Sequence, residues 1–294
     1  MKLKDININD FKISSKIDIN SLVTDLNIEY DTEKLEKELT ELREELSDFQ
    51  DKMYAHNKYS VLICLQGMDT SGKDSLIREV FKDFNARGVV VQSFKVPNSH
   101  ELEHDYLWRH YISLPERGKV TVFNRSHYEN VLVTRVHPEY ILGENIPDIQ
   151  NISDINIDFW TSRMESIVNF EKHLVKNGTI ILKFFLNLSK DEQKKRLLRR
   201  LETPKHNWKF SEGDLKERKL WDKYQLAYQE LLNQTSMSYA PWYVIPADDK
   251  YISRYLVAKA LQDEFSKYSD VKFPELDEEV KANLNHFREI LENE

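Results

Sequence analysis

SVLICLQ GMDTSGKD SLIREVFKDF, residues 60–84, decides the fold. It reads as strand, tight loop and helix. The loop holds Gly67, four residues, then Gly72 and Lys73, the spacing of a phosphate-binding P-loop. Glycine lets the chain turn so that successive N–H groups converge on an anion. A helix starting at about Gly72 adds its unpaired amides and the positive end of its dipole. Lys73 supplies a mobile charge that can follow a phosphoryl group. Gly67, Met68, Thr70, Ser71, Gly72, Lys73, Asp74 and Ser75 therefore form the expected phosphate cradle. An accidental glycine loop would lack the strand before it and the helix after it.

Two carboxylates mark this loop. A hydroxyl usually follows the lysine and binds Mg2+, but Asp74 stands there. Asp74 either gives an oxygen to the metal or adds favourable charge to the first helical turn. Asp69 lies inside the loop, where bound phosphate would repel it unless a cation lay between. Asp69 is thus the expected metal ligand.

The 294 residues suffice for one large domain with appendages, and 31% charged with 40% hydrophobic residues suits a soluble globular chain. No apolar run is long enough for a bilayer, and residues 1–18 lack the apolar core of a secretory signal. The single cysteine, Cys64, cannot form an internal disulfide and sits in a strand. These features predict a cytoplasmic protein with no membrane partner. A net charge of −8 argues against nucleic acid. Residues 183–224 nevertheless carry 13 Lys and Arg against 7 Asp and Glu, while the rest carries 29 against 43. A basic segment on an acidic body predicts a localised polyanion site.

Residues 1–30 read as a partly extended arm packed on the body or on a partner. Residues 32–56 read as a long helix with an apolar stripe at Leu35, Leu39, Leu42, Leu46 and Phe49. That stripe suits packing on the core, and it also makes a homo-oligomer plausible. Residues 89–94 (VVVQSF) read as a buried strand. Helical spacing follows at Leu102, Tyr106 and Tyr111. Residues 119–123 form the third strand. Residues 143–158 form a polar loop, 159–177 a helix and 179–186 the fourth strand. Ser189 caps a helix that Pro204 ends, and Ser211 with Asp214 opens another. Residues 242–246 form the last strand, a helix covers 252–265, and the acidic tail is helical. Strand and helix in alternation predict an α/β fold: a P-loop kinase-like parallel sheet of about five strands, helices on both faces and a helical lid. The division expected is arm and helix 1–56, kinase domain 57–267 with the lid at about 189–224, and tail 268–294.

In open α/β sheets ligands gather beyond the carboxyl ends of strands. Lys95, just past the second strand, is either a phosphate or nucleotide contact or a solvated lysine, and Arg109 stands likewise. Asn124 stands one step past the third strand, where P-loop enzymes usually carry a metal-directing aspartate. Arg125 is placed to reach the transferred phosphate; Arg135 lies ten residues on. In the basic segment, Arg196, Arg199 and Arg200 share one helix face, and Lys205, His206 and Lys209 follow. A helical hairpin here would close over phosphates and exclude water, with Pro204 and Gly213 as hinges.

The motifs GMDTSGKD, SFKVP, HDYLWR, FNRSHYENVLVTRVH, KHNWKFSEGDLKERKLWDKY and APWYVIPADDK resemble those of the polyphosphate kinase 2 family. The resemblance covers roughly residues 30–265, leaving the first thirty residues and the tail after Lys267 outside. FNRSHYE and GMD..GKD look like the subgroup that phosphorylates both AMP and ADP. The resemblance implies Mg2+-dependent (or Mn2+-dependent), reversible transfer of the terminal phosphate of inorganic polyphosphate to AMP and ADP, giving ADP and ATP. Guanine nucleotides are further candidate acceptors. It implies Asp69 as metal ligand and Lys73 and Arg125 at the transferred phosphate. The lid cations would lie along the polymer, and Glu129, with Arg135, Lys95, Arg109 and Asn124, near the nucleotide. Two other readings compete: an ATP-dependent nucleoside monophosphate kinase and a non-catalytic polyanion-binding protein.

Overall fold

Seven residues in a row, five of them apolar and all of them buried, make β1 (Ser60–Gln66) the central strand of the sheet. The computed structural model describes residues 6–294. Its sheet has five parallel strands in the order β2-β3-β1-β4-β5, with β2 (Val89–Ser93), β3 (Val120–Asn124), β4 (Thr179–Asn187) and β5 (Trp242–Pro246). The α/β expectation therefore holds. Leu65 stands beside both Asn124 and Phe184, so the strands reach their carboxyl ends at one level.

Alternate side chains feed opposite faces. Val61, Ile63 and Leu65 pack into one core with α1 (Thr32–His56), α2 (Lys73–Val80) and α10 (Lys250–Phe265). Phe185, Trp242 and Val244 face the other way, toward α5 (Glu129–Val136), α6 (Ile157–Lys176) and α9 (Trp221–Thr235). The α1 stripe is consumed inside the chain. Leu35, Leu39, Leu42 and Leu46 are buried, and Phe49 stacks on Phe265 of α10 at 4.4 Å. It gives no surface for self-association.

β2 differs from its expected burial. It lies at the sheet edge, with Val90 45% and Val91 47% exposed, because the strand has a neighbour on one side only. The opposite edge is covered: the arm runs past β5, where Ile13 N–H donates to the Trp242 carbonyl at 2.9 Å. The arm thus packs on the body. Asn233 and Gln229 of α9 accept from Ile17 and Ile19 N–H, and Asp248 N–H donates to the Thr24 carbonyl.

The helix expected beyond β2 is two short ones, α3 (Ser99–Leu102) and α4 (Trp108–Tyr111). The polar stretch 143–158 is flanked and interrupted by 3-10 turns at Pro138–Glu144 and Ile152–Asp154. α10 begins two residues earlier than its apolar pattern suggests, since Asp249 accepts from the N–H groups of Tyr251 and Ile252. Between β4 and α9 lie α7 (Lys190–Glu202), a 3-10 turn (Pro204–Lys209) and α8 (Glu212–Lys219). The tail helix α11 (Glu278–Glu292) is exposed along its length. No helix among the described residues is long and apolar enough to cross a membrane.

Candidate active site

The loop from β1 into α2 needs backbone that most residues avoid. Gly67 and Gly72 have φ of +152° and +103°, and Thr70 has +68°. A Cβ on Gly67 would stand 2.8 Å from Ser71 Oγ and 2.9 Å from the Leu186 carbonyl, so glycine is required there. Gly72 is the N-cap of α2 and gives it no side-chain cap, leaving the helix amides to a ligand. Thr70 Oγ1 is buried without a hydrogen-bond partner among the described residues. An anion in the loop would meet that unsatisfied donor.

Lys73 is 8% exposed, and its ammonium folds back into the loop, donating to the carbonyls of Gly67 at 2.7 Å and Met68 at 3.3 Å. Burial, then the Arg125 charge, pushes its pKa down to about 8, against the opposing pull of Asp69, Glu129 and Asp74.

Arg125 leaves the end of β3 in the left-handed region, φ +62°, with its N–H donating to the Leu65 carbonyl at 3.1 Å. This turn aims the guanidinium at the loop. Nη2 donates to Asp69 at 2.7 Å and Nη1 to Glu129 at 3.2 Å. Those two carboxylates hold Arg125 firmly protonated, Glu129 most strongly. Asn124 Nδ2 donates to Asp74 Oδ1 at 2.7 Å, joining β3 to the first turn of α2.

Behind this segment lies a buried charge network. Lys183 of β4 reaches Glu171 Oε2 at 2.6 Å, the Tyr128 hydroxyl at 2.8 Å and the Thr235 carbonyl at 2.8 Å. Glu171 Oε1 accepts from Tyr128 at 2.8 Å and lies 3.1 Å from His127 Nε2. Burial works to raise the Glu171 carboxyl, but Lys183 and His127 hold it below its ordinary range.

The loop, the strand ends, α7 and the turn after it line a cleft of about 1050 Å³. It includes Asp69, Thr70, Ser71, Gly72, Lys73, Asp74, Ser75, Lys95, Asn124 and Arg125, together with Arg196, Arg199, Arg200, His206 and Lys209. Met68 is buried beneath the loop, and Gly67 and Lys205 also lie outside the lining. Arg196 is engaged four times by protein acceptors. Arg200 pairs with Asp214 at 2.9 Å. Arg109 pairs with Glu101, lies over the Phe94 ring and donates to the Lys95 carbonyl, so it braces Lys95 from outside the cleft. Arg135 is further off: it pairs with Glu230 at 2.9 Å over the Trp160 ring, on the α9 side.

Several lining residues have no site role in the sequence reading. Asp25 and Tyr30 come from the arm and its sequel, Arg78 from α2, and Lys250, Tyr251 and Arg254 from α10. Tyr30 donates to Asp249 at 2.5 Å. Arg254 is 9% exposed with Nε unpartnered among the described residues. Lys250 and Arg254, four apart just beyond β5, were the readable signal.

No group of three or more His, Cys, Asp or Glu able to hold a metal occurs among the described residues. The donor set still fits Mg2+, which takes one or two carboxylates and completes its shell with water and substrate phosphate. Asp69 and Asp74 both line the cleft and are the candidate carboxylates.

The family model for polyphosphate kinase 2 matches residues 29–273. An ADP-polyphosphate phosphotransferase of Rhodopseudomonas palustris is 43% identical over 94% of each chain. An AMP/ADP-polyphosphate phosphotransferase of Meiothermus ruber is 46% identical over 76% of this chain and 78% of that one. The crystal structure of polyphosphate kinase 2 from Arthrobacter aurescens TC1 superposes with a TM-score of 0.86 at 33% identity, covering 95% of both chains. With the family model over residues 29–273 and a relative 43% identical over 94% of each chain, the chain belongs to the polyphosphate kinase 2 family.

Proposed function

We propose that the protein transfers the terminal phosphoryl group of inorganic polyphosphate to AMP and to ADP, reversibly, giving ADP and ATP. The observation that carries this is the cleft itself. It joins a P-loop to Lys95, Arg199, Lys209, Lys250 and Arg254 around about 1050 Å³, at the upper end of ligand-cleft volumes.

The bond between the terminal phosphorus and its bridging oxygen breaks, and one forms to a terminal phosphate oxygen of the nucleotide. The polymer leaves one unit shorter with the bridging oxygen as phosphate anion. The attacking oxygen is already ionised at pH 7, so no general base is required. What remains is alignment and neutralisation of like charges. In this reading the loop amides and Lys73 hold the transferred phosphate, and Arg125 neutralises charge on its equatorial oxygens. The lid cations Arg199, Arg200, Lys205, His206 and Lys209 lie along the polymer. Asn124, Lys95 and Glu129 lie toward the nucleotide, with Arg109 bracing Lys95. Asp69 would hold Mg2+ or Mn2+, which would supply positive charge against the phosphate negative charge. Arg135 is spent on Glu230 and Trp160 and supports α5 from behind.

Both relatives above are named for transfer between polyphosphate and ADP, and one also for AMP. ADP is therefore the firmer acceptor, AMP the second, and guanine nucleotides the extension. A buried, unbridged Cys64 suits the cytoplasm. The homo-oligomer proposal stands, with a surface other than α1, and light scattering tests it. Incubating the protein with Mg2+, polyphosphate and ADP, with no ATP added, tests the activity: ATP appears and the polymer shortens. No ATP, or ATP formed only when an ATP-type donor is supplied, would remove this reading.

A further inference from the structure

We propose that Gln193 and Arg196 are positioning residues for the phosphate loop, gripping it by two consecutive carbonyls, and that Arg218 acts through Gln193. Gln193 Nε2 donates to the Asp69 carbonyl at 3.0 Å, and Arg196 Nη1 donates to the Thr70 carbonyl at 3.0 Å. Gln193 is 1% exposed and does not line the cleft. It has no route to a substrate, and its amide is spent on the loop.

Both grips are themselves anchored. Gln193 Oε1 accepts from Arg218 Nη1 at 2.7 Å, and the same nitrogen donates to the Lys190 carbonyl at 2.7 Å. Holding Oε1 fixes which way the amide points, so Nε2 faces the loop. Arg196 donates through Nε to Glu192 at 2.9 Å and through Nη2 to the carbonyls of Ala247 at 2.7 Å and Asp248 at 2.9 Å. Four of its contacts are internal, which is the pattern of a strut rather than of a free polymer contact.

The consequence follows from peptide planarity. A carbonyl held toward α7 sends the N–H of the same peptide the other way. Fixing the Asp69 carbonyl therefore directs Thr70 N–H away from α7. Fixing the Thr70 carbonyl directs Ser71 N–H onto the Met68 carbonyl, where it closes the turn at 3.0 Å. Thr70, between the two, has the left-handed φ of +68°, which a β-branched residue adopts only when its surroundings impose it. Asp69 and Lys73 hang from this backbone, so a tilt of one peptide displaces both.

The proposal rests on the transfer reaction above for its kinetic arm only. Gln193→Met keeps the side-chain volume and removes the donor. Turnover with polyphosphate and ADP should fall about 10–100-fold, the cost of misplacing reacting groups by up to an ångström. KM for both a short and a long polymer should stay within about twofold. Arg218→Met should show the same split, and the double variant should be no worse than Gln193→Met alone, because the two act in series. Amide hydrogen exchange across residues 67–73 should be faster in both single variants than in the wild type, with exchange in β1 and β4 unchanged. Rising KM with polymer length at constant turnover would make these residues polymer contacts and overturn the proposal. Full turnover in Gln193→Met, or additive losses in the double variant, would do the same. If Gln193→Met fails to fold, Arg218→Met carries the kinetic and exchange tests alone. Should the wild type transfer no phosphate, the reaction is wrong, and exchange across 67–73 still decides whether the grip exists.

Discussion

Arg125 Nη2 donates to Asp69 Oδ1 at 2.7 Å, so the cation assigned to the transferred phosphate and the carboxylate assigned to the metal hold one another. Both are partly exposed, and such pairs are weak in water. Substrate charge can therefore separate them at small cost. Asp69→Asn should lower turnover by about 10²–10⁴-fold, as loss of one transition-state contact does. It should also raise the Mg2+ concentration needed for half-maximal rate. Steady-state rates over a Mg2+ series measure both, and wild-type turnover at unchanged Mg2+ demand would end the assignment of Asp69.

The depressed Lys73 predicts an alkaline limb. With its pKa near 8, the free protein loses this charge as pH rises through about 8. Apparent kcat/KM should fall above that point, while bound phosphate favours the ammonium and moves the kcat limb higher. Stability has the opposite sign. Between about 8 and the ordinary 10.5 the unfolded chain binds more protons at this position than the folded one. This residue's contribution to stability therefore grows with pH across that window. A pH–rate profile flat to pH 10 would show that the Lys73 charge is not needed.

Lys183 and Glu171 are completely buried, which makes them a test of what sits behind Arg125. Their pair fixes Tyr128 and His127, three and two residues from a backbone turn that aims Arg125. Glu171→Gln leaves the Lys183 ammonium without a charged partner. Removing one member of a buried pair costs about 3–5 kcal/mol. Lys183→Met with Glu171→Leu together should cost far less, since no lone charge remains. Urea titrations of the three proteins give the comparison; equal losses in single and double variants would mean that burial volume, not charge pairing, matters there.

Sequence periodicity and motif spacing exposed the parts of this protein that are local in the chain. The cradle, the five strands and the caps at Ser189 and Ser211 each depend on neighbours within a few residues. What escaped depends on distant packing. Nothing near Arg78 or Arg254 says that α2 and α10 lie side by side at the strand ends, yet together they line the cleft. Tyr30 enters it only because Asp249, 219 residues on, accepts its hydroxyl. VVVQS has the composition of a buried strand, and only the strand order reveals an edge. Arg135 was drawn toward the nucleotide by its place after the Arg125 motif. In the fold it pairs with Glu230 of α9, 95 residues on. The stripe of α1 was legible as apolar but silent on whether its partner was α10 or another copy.

The basic hairpin should not act uniformly, because its arginines are not equally free. Arg200 already pairs with Asp214 at 2.9 Å and donates to the Lys209 carbonyl, bracing α7 against the turn and α8. The Arg199 side chain lines the same cleft with no hydrogen bond or ion pair to protein among the described residues. A cation without a protein partner has its full charge to offer an anion. Arg199→Ala should therefore weaken a long polymer about 5–20-fold while leaving KM for ADP within about twofold, consistent with about 1–2 kcal/mol for a charge-assisted contact. It should also flatten the dependence of polymer affinity on salt, since fewer counterions are exchanged. Arg200→Ala should lower the thermal stability of the hairpin, detectable as faster proteolysis within residues 203–212, with a smaller change in salt dependence. Kinetics at two salt concentrations and a timed digest separate the two roles. Equal salt slopes for Arg199→Ala and the wild type would take Arg199 away from the polymer.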